Sequence, residues 1–381
     1  MKKILTIIGA RPQIIKSAAL SRAIQNHFSS QLKEVIVHTG QHYDQEMSSV
    51  FFDELGLPQP DYNLNIGSHS HGVQTAQMIE GIEQILQKEN PNAVVVYGDT
   101  NSTLAASIAA SKMQIDVVHI EAGLRSYNKQ MPEEINRITC DHVSTLLFSP
   151  TKIGVENLQK EGFKLANQSP YSIDNPMVYH CGDIMYDNSL HFSKIAEQKT
   201  TIIQQLGLEN KHFYLATVHR PANTDDSENL SSIFKAFLQL LKQDGDLSIV
   251  LPLHPRTKGC MQSNLSKELL DEIAQEKRLL IIPPVSFLEV IALEKNCSLI
   301  LTDSGGLQKE AYFFQKPCLI LRTETEWLEI VKQGAALIVN ADTNKILQGV
   351  HELENKKIEF PPLYGDGHAA EFIAAEIIKH C

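Results

Sequence analysis

Cysteine pairs, long apolar runs, an excess of basic charge and nucleotide-binding fingerprints are all missing from this 381-residue chain. Each absence removes a class of function. The six cysteines stand at 140, 181, 260, 297, 318 and 381, with no CxxC pair and no Cys/His metal spacing. That pattern reads as reduced thiols in a cytoplasmic protein, not as a disulfide framework or a zinc site. No stretch approaches the roughly 18 consecutive apolar residues of a membrane helix. The N-terminal MKKILTIIGARPQ has an apolar run of only about five residues before Gly9 and Arg11 interrupt it, too short for a secretory core. It reads as a first β-strand. The formal net charge is −11, which argues against a nucleic-acid-coating surface but leaves room for basic residues gathered in one cleft. There is no GxGxxG and no GxxxxGK[ST], and no internal repeat or low-complexity segment.

What is present is a succession of short, continuous apolar runs rich in β-branched residues. In the first half they are 3–9, 34–39, 93–98, 116–121, 145–149 and 178–182; in the second, 213–218, 247–253, 279–285, 298–303, 317–322 and 335–340. Continuous rather than alternating apolar character means strands buried on both faces, and helix-like stretches between them make this parallel α/β. Six runs and six runs predict two Rossmann-like domains, expected at 1–172 and 173–365, with the polar stretch 166–177 as the linker. A final amphipathic helix is expected over 366–381, where Ala369, Phe372, Ile373 and Ile377 share a face.

In open parallel sheets ligands bind beyond the carboxyl ends of the strands, and chemistry-bearing residues stand there repeatedly. Gly9-Ala10-Arg11, Gly40-Gln41-His42, Asp99-Thr100 and Glu121-Ala122-Gly123 follow strands of the first half. His219-Arg220, His254-Pro255-Arg256 and Asp303-Ser304-Gly305-Gly306 follow strands of the second. The DSGG turn reads either as a phosphate cradle, with glycines and helix-end amides facing an anion, or as a plain helix cap. Asp99 is either an acid/base carboxylate or the cap of the helix after it. Glu133 and Arg137 lie four apart on one helix face, as an intrahelical pair or as a site wall. Glu310, one turn past the glycines, either reaches a ribose hydroxyl or faces solvent. Guanidinium beside imidazole, as at His219-Arg220, suits phosphate recognition.

Taken together, GARPQIIK (9–16), YGDTNSTLA (97–105), HIEAGLRS (119–126), PEEINR (132–137), TVHR (217–220), LTDSGGLQKEA (301–311) and YGDGHA (364–369) resemble the non-hydrolysing UDP-N-acetylglucosamine 2-epimerase family over essentially the whole chain. The resemblance implies a glycosyltransferase-B-like architecture, with two Rossmann-like domains facing across a cleft and the last helix returning to the first domain. It implies a homodimer acting on a UDP-sugar, with no metal and no nicotinamide cofactor, and a role in surface polysaccharide precursor synthesis. It implies inversion of C2 by elimination of UDP to a glycal and re-addition. Carried over by position, Asp99, Glu121 and Glu133 are the acid/base carboxylates and His219 assists at the diphosphate. Arg11, Lys16, Ser304, Gly305 and Gly306 hold the phosphates, Glu310 the ribose, and Phe287 stands at the uracil or else packs in the core. The sequence departs from the family's common pattern at Gln13, at Tyr43 and at Trp327, which follows Thr325-Glu326. These departures resemble the branch acting on UDP-2,3-diacetamido-2,3-dideoxyglucuronate, and a hydrolysing 2-epimerase is the other alternative.

Overall fold

The computed structural model describes residues 1–40, 56–67 and 69–381, so that Gln41, His42 and Tyr43 lie outside the described residues. The chain divides into two compact units: Met1–Asn188 with Pro362–Cys381, and Ser189–Pro361.

The first unit holds a seven-stranded sheet: β1 (Lys2–Ile8), β2 (Leu32–His38), β3 (Tyr62–Asn63), β4 (Ala93–Tyr97), β5 (Asp116–Ile120), β6 (Leu146–Ser149) and β7 (Met177–His180), in the order β3-β2-β1-β4-β5-β6-β7. Every described pairing in it is parallel, with β1 flanked by β2 on one side and β4 on the other. The second unit holds β8 (Phe213–Thr217), β9 (Ser248–Pro252), β10 (Leu279–Ile282), β11 (Leu299–Thr302), β12 (Cys318–Ile320) and β13 (Ala336–Ile338), in the order β10-β9-β8-β11-β12-β13, again parallel. Both units are therefore Rossmann-like. The twelve apolar runs become strands in both, and among the described residues the two-residue edge strand β3 is the one addition.

Burial explains the continuous runs. All five residues of β4 are buried, and Val94 and Val96 pack with Leu5, Ile7, Met78 and Ile82. The helix Asn101–Lys112 lies close over this sheet because it presents Ala105, Ala106, Ala109 and Ala110 to the core. Space is equally tight at the end of β1, where a Cβ on Gly9 would stand 2.2 Å from both Ser102 Oγ and Thr39 Oγ1. In the second unit Ile249, Leu251, Leu301 and Leu319 of the sheet meet Phe234, Phe237 and Leu241 of the helix Ser227–Gln243. Each such fully buried side chain contributes about 1.5–3 kcal/mol relative to exposure.

Two expectations about boundaries change. The stretch 166–177 is not a linker: it leads from the helix Lys152–Lys160 into β7, and β7 pairs with β6 inside the first sheet. The division falls instead within the helix Ile184–Lys199, between Asn188 and Ser189, rather than at 172/173. The last helix, Ala369–His380, belongs to the first unit, where it packs on the helix Arg11–Ala23. Its N-terminus lacks a local side-chain cap, and Asp187 supplies one from far away, accepting from Ala369 N at 3.3 Å and Ala370 N at 2.7 Å. Among the described residues no helix is long and apolar enough to cross a membrane.

Candidate functional site

In each sheet the strand order reverses between two neighbours, β1/β4 in the first unit and β8/β11 in the second. The carboxyl ends flanking such a reversal leave the crevice where α/β proteins bind ligands. Arg11 and Asp99 follow β1 and β4 in the first unit, and His219 and Ser304 follow β8 and β11 in the second.

In the first unit the turn after β4 is Gly98-Asp99. Asp99 is not the helix cap: that position belongs to Thr100, whose side chain accepts from Thr103 N. The Asp99 carboxylate instead pairs with Arg137, and its side chain is 31% exposed. Its backbone carbonyl accepts from Asn136 Nδ2 at 2.9 Å. Burial raises the Asp99 pKa, Arg137 opposes this, and Glu121 adds to it. A carboxyl poised in this way is suited to taking and returning a proton.

Glu121 follows β5 with a backbone φ of 77°, left-handed territory that a non-glycine residue enters at a cost. The strain is held in place because Glu121 N and Ala122 N both donate to Phe148 O at 3.0 Å. Its carboxylate pairs with Lys16, and a Cβ on Gly98 would come within 3.1 Å of Glu121 Oε2 and 3.4 Å of Lys16 Nζ. Beneath this floor lies a fully buried network. His119 Nε2 meets Gly98 O at 2.8 Å and Nδ1 meets Asp141 at 2.7 Å, while the other Asp141 oxygen accepts from Arg125 at 2.7 Å and from Gly123 N at 3.1 Å. Burial alone would lower the His119 pKa; Cys140 and Asp141 reverse this and hold it well above its ordinary value. The ring therefore donates from both nitrogens.

Not every expected residue joins the carboxylates. Glu133 is exposed in the first turn of the helix Pro132–His142, with no hydrogen-bond or ion-pair partner among the described residues. Arg137 spends its charge on Asp99 and on the buried Glu134, which also receives Ser126 N and Tyr127 N at 2.9 Å. Lys16, expected at the phosphates, pairs its amine with Glu121. Arg11 opens the helix Arg11–Ala23 and is exposed, while Gln13 beneath it ties Gly9 N and Ala10 N to Tyr97 O and Thr103.

In the second unit the DSGG turn divides its labour. Asp303 is wholly buried and does not cap the helix Gly305–Phe313. Its carboxylate accepts from His219 N, Arg220 N and Asn223 Nδ2, all at 3.0 Å through Oδ2, and from His219 Nδ1 at 3.1 Å. Burial would raise its pKa; these donors, His219 first, outweigh it and keep the carboxyl ionised. The contact fixes Nδ1 as the donor, so Nε2 remains for chemistry on a side chain that is 48% exposed.

Ser304 makes no side-chain cap bond, so the first amides of the nine-residue helix Gly305–Phe313 are left for an outside acceptor. Neither Gly305 nor Gly306 has a positive φ or a crowded Cβ position. A Cβ on Gly305 would lie 3.8 Å from Arg322 Nη1, 3.9 Å from Arg220 Nη2 and 3.7 Å from Glu326 Oε2. One on Gly306 would lie 3.9 Å from Ser304 Oγ and 4.0 Å from Glu310 Oε2. Backbone geometry does not demand glycine here, and two guanidiniums and the open end of a helix border the space that a side chain would fill. Arg322 is oriented by a two-point pairing with Glu326, both bonds 3.0 Å. Trp327 Nε1 donates to Gly305 O at 2.9 Å, and Lys309 Nζ lies 4.1 Å over the indole ring.

Phe287 is 7% exposed and packs edge-on against Phe192 at 5.3 Å, so its ring serves the core. His254 caps its own helix by accepting from Arg256 N, and Arg256 pairs with Asp225. Sequence reasoning left Arg322 unassigned. Its signal, a basic residue directly after the β12 run, was available.

The family model for UDP-N-acetylglucosamine 2-epimerase matches residues 23–378. A Methanococcus maripaludis UDP-N-acetylglucosamine 2-epimerase homolog is 46% identical over 99% of both chains. The UDP-2,3-diacetamido-2,3-dideoxy-D-glucuronate 2-epimerase of Pseudomonas aeruginosa is 44% identical, also over 99% of each. A crystal structure of Methanocaldococcus jannaschii UDP-GlcNAc 2-epimerase in complex with UDP-GlcNAc and UDP superposes with a TM-score of 0.83 at 40% identity, covering 99% of both chains. The family model and the full-length relatives agree with the two parallel sheets, and the chain belongs to the UDP-N-acetylglucosamine 2-epimerase family.

Proposed function

We propose that the protein inverts C2 of UDP-N-acetylglucosamine without net hydrolysis. The turn at Gly305-Gly306, with Arg220 and Arg322, holds the diphosphate, and Glu310 takes the ribose. A carboxylate removes the C2 proton as the C1–O bond breaks, its electron pair leaving with UDP, and a C1=C2 glycal forms. UDP then adds back to C1 while a proton is delivered to the opposite face of C2. Asp99 and Glu121 are the proton carriers, with Glu133 the third carboxylate of the set. His219 Nε2, oriented by Asp303, assists the departing phosphate, where negative charge develops.

Asp99 carries the reading. It is a strand-end carboxylate whose pKa burial raises and which does no capping, and a protein that only bound UDP would have no use for it. The reading includes a homodimer in the cytoplasm that supplies a surface polysaccharide precursor. Proton NMR of the purified protein with UDP-N-acetylglucosamine in deuterated water tests it: deuterium is expected at C2 of the product. Full retention of the original hydrogen would rule the mechanism out.

A second substrate, the diacetamidoglucuronate analogue, is supported by the 44% identical relative and by Trp327, which is built into the glycine turn through its bond to Gly305 O. The same NMR experiment with that analogue compares the two.

A further inference from the structure

The helix Phe287–Asn296 carries an acid that none of the chemistry above uses. Glu294 is 0% exposed, and neither of its carboxyl oxygens receives an N–H or hydroxyl among the described residues. Its polar neighbour is another acid, Glu310. An ionised Glu294 would be stripped of water and repelled by that neighbour, with no cation paired to it among the described residues. Burial first, and Glu310 second, hold its pKa well above the carboxylate range. Glu294 is thus a neutral acid with one O–H, and a carboxyl O–H that faces a carboxylate donates to it.

Glu310 looks outward as well. Its Oε2 is the atom that would lie 4.0 Å from a Cβ on Gly306, at the mouth of the anion turn. We propose that Glu294 is a positioning residue, which donates its proton to one oxygen of Glu310 and so aims the other oxygen at two adjacent ligand hydroxyls, the cis-diol of a ribose. The inference rests on reading the Gly305 turn as a UDP site. It also accounts for an acid where a methionine of similar length would pack without a desolvation cost.

The test uses the full chain, with UDP and 2′,3′-dideoxy-UDP as calorimetric probes and melting curves alongside. The wild-type protein is expected to prefer UDP over the dideoxy compound by about tenfold or more, the worth of a hydroxyl bond to a charged acceptor. Glu294→Met, which cannot donate, is expected to lose most of that preference while melting at or above the wild-type temperature. Glu294→Gln, whose amide can donate, is expected to keep it within a factor of about three. Retention of the full preference in Glu294→Met would overturn the inference, and so would its loss in both variants. A failure of Glu294→Met to fold would overturn it too, by showing that the acid has partners beyond Glu310. Absence of any UDP binding by the wild-type protein would refute the UDP reading itself and this inference with it, an outcome distinct from the others.

Discussion

Gly305→Ala adds a single methyl group at the first residue of the helix Gly305–Phe313. The nearest atoms to that methyl would be Glu326 Oε2, Arg322 Nη1 and Arg220 Nη2 at 3.7–3.9 Å, ordinary contact distances, and the backbone there is not left-handed. The folded protein therefore has nothing to resist it, and the unfolded chain loses freedom. A gain of about 0.4–1 kcal/mol is expected, which for a unit of this size raises the melting temperature by about 1–4 °C. The ligand meets the opposite consequence. The methyl stands in the space bounded by both guanidiniums, where phosphate oxygens approach the uncapped amides, and loss of one charge-assisted bond costs about 1.5–3 kcal/mol. UDP affinity is expected to fall by about 10- to 150-fold. Calorimetric UDP titration and differential scanning calorimetry on the same preparation read both signs. Unchanged UDP affinity with the expected rise in melting temperature would refute the reasoning and leave the glycines with no ligand to serve.

Asp99→Asn and Glu121→Gln keep shape and remove the proton acceptor. Steady-state epimerisation is expected to drop about 10²–10⁴-fold in each, with melting near wild type for Asp99→Asn, because Thr100 caps the helix, and lower for Glu121→Gln, which leaves the largely buried Lys16 unpaired; near-normal turnover in both would remove them from the mechanism. Asp187 titrates at about 6 against the ordinary 3.8, because burial outweighs the bonds from Ala370 N and Ala369 N. A raised folded-state pKa means that the protonated form stabilises the fold below about 4, and that this stability is lost as pH rises through about 6. The stability difference between wild type and Asp187→Asn, from urea unfolding, is therefore expected to change between pH 4 and pH 7 by about 2–3 kcal/mol, which is two pKa units; a pH-independent difference would show that Asp187 titrates normally.

The two sheets were legible because burial on both faces forces continuous apolar runs, and all twelve are strands. The strand β3 was not, since two residues carry no period. The domain boundary was misplaced because 166–177 has the composition of a linker, while β7, which follows it, is a pairing partner of β6. At the strand ends, the sequence did not reveal the division of labour within each turn. Asp303 reads as a helix cap in isolation; only the fold brings His219, Arg220 and Asn223 around it. Thr100 rather than Asp99 caps its helix, a one-residue distinction that residue types do not resolve. Lys16 and Glu121 meet across more than a hundred residues, as do Arg322 and Arg220 at Gly305. Such pairings depend on strand order, which the runs themselves do not state.

The first unit is discontinuous, and this orders its birth on the ribosome. Residues Ser189–Pro361 leave the exit tunnel before the helix Ala369–His380 that the first unit needs. Until then the helix Arg11–Ala23 lacks the neighbour that covers it, Asp187 lacks the two amides it caps, and Lys2 lacks its acceptor, Ile378 O. The second unit, by contrast, is one unbroken stretch and can close as soon as it emerges. The usual precedence of the N-terminal domain in synthesis is thereby reversed at the last step. The unit that holds Asp99 and Glu121 is finished after the unit that holds the Gly305 turn, and a chain released early would carry a complete second unit and an incomplete first one.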